Sequence, residues 1–181
     1  RPFLSAAGGL TRLGRLPLNI VLVLDKSGSM SWNVPGSADI RWNRMQSSAQ
    51  LFASVWDAVG SPPPPATVSS EGNVDDRLGV VFFSSAANDA PLDGANFFKK
   101  RDNNAAPWSV PVRGALAANS PGGWTSIGSG ILQARTKLDT VDALTGDTAI
   151  VLFTDGEQNR PPCVIRNTET KGRVGLPFLS Q

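Results

Sequence analysis

The sequence predicts one α/β domain built on a mostly parallel sheet flanked by helices. Three observations predict it. Three short runs, Leu18–Leu24, Leu78–Phe83 and Ala149–Phe153, are apolar at consecutive positions, as in strands buried on both faces. Amphipathic helical patterns lie between them. The resulting order, strand, helix, strand, helix, strand, calls for parallel pairing through crossover helices. With 181 residues, 40% hydrophobic and 18% charged, the chain can bury a sizeable core and is too apolar for disorder.

Taken in order, residues 1–15 mix glycine and arginine without a period and read as an N-terminal arm. Leu18–Leu24 is the first buried strand. Over residues 39–59, Met45, Ala49, Phe52, Trp56 and Val59 recur every three or four positions, so a helix is expected with Asp39 capping its start. Gly60 ends it, and Pro62 to Pro65 forbid its return and read as a stiff linker. Leu78–Phe83 is the second buried strand, and Ala86–Leu92 is expected as an edge strand after a tight turn. Residues 93–124 suggest no element. Ile127, Ile131, Ala134 and Leu138 mark a second amphipathic helix, and Ala149–Phe153 the third buried strand. The organisation expected is an arm (1–15), a domain (16–160) and a tail or atypical completion of the fold (161–181), in which Cys163–Arg166 and Arg173–Leu179 could pair as short strands.

Composition narrows the function. The net charge is +2 and the longest basic run is Lys99-Lys100-Arg101, read as a solvated face, so no nucleic-acid partner is expected. The apolar stretch Ile20–Leu24 is too short to span a membrane. With no histidine, neither Ser-His-Asp nor Cys-His catalysis nor a histidine-ligated metal is possible, and the single Cys163 reads as a spare or buried thiol.

Three segments carry chemistry: Asp25-Lys26-Ser27-Gly28-Ser29 after the first strand, Gly123-Trp124-Thr125-Ser126 before the second helix, and Thr154-Asp155-Gly156 after the third strand. Open parallel sheets bind ligands beyond the carboxyl ends of their strands, and loops from neighbouring strands share that crevice. Asp25, Ser27, Ser29, Thr125 and Asp155 supply two carboxylates and three hydroxyls. All are hard oxygen donors that suit Mg²⁺, Ca²⁺ or Mn²⁺ rather than zinc or copper. Asp25, Ser27 and Ser29 alternate, so a turning backbone can aim them together. An ion held largely by hydroxyls keeps much of its charge and would draw a carboxylate from outside.

These segments resemble the von Willebrand factor A family. Asp25-Lys26-Ser27-Gly28-Ser29 is similar to its Asp-x-Ser-x-Ser motif. Thr125 and Thr154-Asp155-Gly156 match the other two parts of its metal-ion-dependent adhesion site, and Asp76 to Ser84 resembles its second strand. The resemblance covers roughly residues 16–160. It implies a Rossmann-like sheet of six strands ordered 3-2-1-4-5-6. It also implies Ser27, Ser29 and Thr125 as metal ligands, direct or through water, with Asp25 and Asp155 often acting through water, Mg²⁺ as the ion, and a protein partner that supplies an Asp or Glu. The family's two further strands and helices do not fit in the 26 residues after Asp155. The fold is therefore expected to lack its usual C-terminal strands, and the Ala149–Phe153 edge to be covered by another segment or chain. A secreted or cell-surface bacterial setting is favoured.

Two other readings compete. A domain of this kind could be a structural subunit of a surface or filamentous assembly. A strand ending in Asp, with another Asp after a later strand, also resembles haloacid dehalogenase-like phosphatases, but these expect an acid two residues after the nucleophile, where Ser27 stands. Among the remaining residues, Lys26 is expected to face solvent and Trp42, Trp56 and Trp108 to pack. Trp124 is open between ligand contact and loop packing, and Gly128-Ser129-Gly130 is expected to allow close helix–sheet packing.

Overall fold

The computed structural model describes residues 16–60, 76–101, 107–141, 146–156, 159–161, 165–167 and 172–174. The N-terminal arm, the proline run and Cys163 lie outside them. The aliphatic run at 18–24 forms the central strand β1 (Leu18–Asp25), with Ile20 to Leu24 all buried. On one side β1 pairs in parallel with β2 (Arg77–Phe83), and on the other with β5 (Asp147–Phe153). The outer edge of β2 carries two short antiparallel strands, β3 (Ala87–Ala90) and β4 (Lys99–Lys100). The order β3-β2-β1-β5 matches the first four places of the implied order. The fifth and sixth have no counterpart among the described residues. A separate antiparallel pair, β6 (Ile165–Asn167) and β7 (Gly172–Val174), forms in the tail, close to where two short strands are expected.

Alternation along β1 and β2 splits the core into two layers. Ile20, Leu22, Leu24, Leu78, Val80 and Phe82 face the helices α1 (Arg41–Gly60) and α2 (Ser109–Ala117), meeting Trp42, Met45, Ala49, Ala53, Val112 and Leu116. Val21, Val23, Val81 and Phe83 face α3 (Ile127–Leu138) through Ala134 and Leu138. Gly130 allows this second layer to close: a Cβ there would lie 2.8 Å from both Val23 and Phe83, so at Gly130 the small residue serves close helix–sheet packing.

Several expectations need correction. Residues 93–124 contain β4 and α2. Pro111 and Gly114 disguise α2, but Pro111 stands in the first turn, where no intrahelical donor is lost. Asp39 stands one place too early to cap α1. Ile40 supplies the first helical carbonyl, to the Asn43 and Arg44 amides, and the Asp39 carboxylate instead accepts from Asn43 Nδ2 and Arg44 Nε. Those bonds, the Asn43 amide first, hold its pKa below the usual carboxylate value. The Lys99–Arg101 run is not a solvated face. Lys99 is buried, and Arg101 pairs with the buried Asp76, donates to the Trp56 carbonyl and lies 4.5 Å from the Trp108 ring centroid. Only Lys100 is exposed. Lys26 bonds Asn119 rather than pointing freely into solvent. Trp42 and Trp108 are buried, and Trp56 stacks on Trp108, as packing residues should.

The third strand is half-buried rather than fully buried. Ala149, Val151 and Phe153 pack against the α1 layer, whereas Ile150 and Leu152 are 38% and 39% exposed. They pair with Val21 and Val23 and so lie on the α3 face, but α3 sits mainly over β1 and β2. Gly130→Val forces three extra carbon atoms against Val23 and Phe83. We expect unfolding in urea to show a loss of about 2 kcal/mol.

Candidate metal site

The carboxyl ends of β1 and β5 lie side by side, which brings the first and third segments together. Asp25 ends β1 fully buried. A buried carboxylate needs donors, and two are supplied from different loops: the Ser27 amide to Oδ1 and the Thr154 hydroxyl to Oδ2, both at 2.7 Å. Beyond Ser27, a 3-10 turn (Gly28–Ser31) anchors Met30 in the core and leaves Ser27 and Ser29 on one side. Their hydroxyls are 3.1 Å apart, and Ser29 Oγ donates to Asp155 Oδ1 at 3.0 Å. Ser27, Ser29 and Asp155 thus form one continuous chain of oxygens.

The second segment is fastened to the same end. Gly28 N donates to Gly123 O and Gly122 N to Lys26 O, at 2.8 and 2.7 Å. The approach is close: a Cβ on Gly28 would be 3.2 Å from Gly123 O, and Gly123 itself has φ +85°. The end of β2 grips the segment too, through Ser85 Oγ with the Trp124 amide and Ser84 O with the Ser126 amide. Thr125 is thereby buried, its amide donating to Asn159 Oδ1 at 2.8 Å while its carbonyl accepts from the Asn159 and Arg160 amides. Thr125 belongs to this loop cluster, and its backbone is what bonds Asn159 and Arg160. Trp124 stays 58% exposed beside it.

Sequence reasoning missed four supports. Thr154 was within a quoted segment but unassigned, and Ser84-Ser85 stood visibly at a strand end. Asn159 carried no signal. Neither did Arg41, the first residue of α1, whose Nη1 lies 2.5 Å from Asp155 Oδ2 and whose guanidinium lies over the Trp32 ring. Among the described residues no group of three or more His, Cys, Asp or Glu is placed to hold a metal ion. The oxygens that meet here are two carboxylates and hydroxyls. Asp25 is buried with a donor on each oxygen.

Fold and loop site together define an open α/β domain with a polar crevice at the strand ends. The sequence profile of the von Willebrand factor type A domain matches residues 19–173, and the chain belongs to that family. A curated relative, the Bacillus subtilis (strain 168) protein YwmC, is 27% identical over 144 residues, covering 80% of this chain and 56% of its own length. This chain therefore spans about half of that relative. Among solved structures, the PilB minor pilin of Streptococcus sanguinis superposes with a TM-score of 0.59 at 20% identity, over 80% of this chain and 31% of that one. The pilus adhesin SpaC of Lactobacillus rhamnosus GG gives 0.58 at 23%, over 92% and 19%. At these identities the superpositions establish shared fold.

Removing the Thr154 hydroxyl leaves one oxygen of the buried Asp25 without that donor. Thr154→Val should lower the unfolding free energy by about 1–3 kcal/mol in chemical denaturation.

Proposed function

We propose that this domain binds a divalent cation, Mg²⁺ in preference to Ca²⁺ or Mn²⁺, at Ser27, Ser29 and Thr125 with Asp25 and Asp155, and thereby binds an acidic side chain of a partner protein without catalysing a reaction. The observation that carries this reading is the oxygen chain Ser27 Oγ, Ser29 Oγ, Asp155 Oδ1, with steps of 3.1 and 3.0 Å across loops from opposite sides of the crevice. Neighbouring ligands of an octahedral Mg²⁺ with bonds of about 2.1 Å stand about 3 Å apart. The donors are all hard oxygens, which fits such an ion.

When bound, the cation supplies a positive centre for a carboxylate. The protein's residues do the rest. Ser27 and Ser29 offer neutral oxygens, so within the proposed set only Asp25 and Asp155 offset that charge. Asp25, buried behind them, orders the turn through the Ser27 amide. Trp124, exposed next to Thr125, supplies apolar contact area at the rim.

A second reading coexists with the first: the domain as a subunit of a surface assembly, in a secreted or cell-surface setting. The half-exposed β5 edge favours it, because such an edge can pair with another chain. So does the fold shared with a minor pilin and a pilus adhesin.

Isothermal titration of the chain with Mg²⁺ or Mn²⁺ is expected to show one site that Asp155→Ala abolishes. Absence of binding by the unaltered chain, or full binding by Asp155→Ala, would sink the proposal. For the assembly reading, size-exclusion chromatography should show self-association or its loss as Mg²⁺ is exchanged for chelator. A monomer under both conditions counts against it.

A further inference from the structure

Arg41 and Asp155 are 114 positions apart in sequence, yet they form an ion pair at the mouth of the crevice. Their side chains are 28% and 13% exposed, and the Arg41 guanidinium carbon lies 5.5 Å from the centroid of the exposed Trp32 ring. Both side chains are partly enclosed, so the pair can contribute to the fold as well as to the site. It is not needed to orient Asp155, whose other oxygen is already held by Ser29 Oγ. Its distinctive effect is on charge. Asp25 and Asp155 carry two negative charges, enough to cancel a divalent cation, and a neutral centre would have little attraction for a foreign carboxylate. Arg41 restores one positive charge.

We infer that Arg41 sets the charge of the site: it competes with the divalent cation for Asp155 and makes the loaded site more positive, the sign an acidic partner requires. This rests on the proposed cation site and assigns a specificity-determining role to a residue outside its ligand set. Affinity for the cation is lowered so that affinity for an anion is raised. Trp32 keeps the guanidinium at the mouth through its ring face, where it can meet the same carboxylate.

The test is isothermal titration of the 181-residue chain with MgCl₂ alone, in the unaltered protein and in Arg41→Ala, Arg41→Gln, Arg41→Lys and Arg44→Ala. Arg44 pairs with Asp39 and controls for simple loss of a positive charge from the same helix. Arg41→Ala and Arg41→Gln should bind Mg²⁺ about five- to tenfold more tightly, since a like charge beside a partly exposed site costs roughly that much. Arg41→Lys and Arg44→Ala should stay within about twofold of the unaltered chain by the same reasoning. If Arg41→Ala fails to fold, Arg41→Gln carries the comparison. Unchanged or weaker binding in the neutral variants, with the unaltered chain binding normally, overturns the role of Arg41. No binding by the unaltered chain overturns the cation site itself, so the two failures are distinct.

Discussion

The buried carboxylate of Asp25 is the constraint on which the arrangement of the crevice depends. Placed at the end of the central strand and sealed from water, it must find donors. It finds one in its own loop, the Ser27 amide, and one across the sheet, the Thr154 hydroxyl. Because β1 and β5 run parallel and adjacent, a single side chain thereby fixes the spacing of two loops that are distant in sequence. Ser29 and Asp155 then meet because the backbones carrying them are already fixed. Only the second loop is positioned independently, by backbone bonds that favour residues without side chains at 123 and 28.

What was legible in the sequence follows from what is local. Leu18–Leu24 and Leu78–Phe83 are apolar at every position because both sheet faces are covered there, and the helices on those faces show their stripes in α1 and α3. The three loop segments were readable because short polar motifs directly follow or precede those elements. The rest depended on partners elsewhere in the chain. Pro111 and Gly114 hid α2, whose amide end is met by the Asp57 carboxylate of α1. Arg101 reads as one of three adjacent basic residues until Asp76, Trp56 and Trp108 are seen around it. Ala149–Phe153 has the composition of a doubly covered strand, but composition does not say whether both covers are present. Arg41 was invisible for the same reason, since nothing near it in sequence announces Asp155.

The two poles of the sheet contrast. At the carboxyl ends, hydroxyls and glycines dominate and the aromatic rings stand at the rim. Near the start of β2, Arg101 lies against Trp108 and the buried Asp76, while Asp76 also accepts from the Leu18 amide. That pole is held by charge enclosed among rings, and it ties the start of β1 to β2, α1 and α2.

The tryptophans divide along the same axis. Trp42 and Trp108 are enclosed and Trp56 is stacked between Phe52 and Trp108, whereas Trp32 and Trp124 are 62% and 58% exposed and both belong to the crevice loops. The red-shifted, quencher-accessible part of the intrinsic fluorescence thus arises at the crevice loops, and the blue-shifted part reports on the interior. The domain carries its own two-channel optical probe, one channel for the crevice loops and one for the interior, with no label attached.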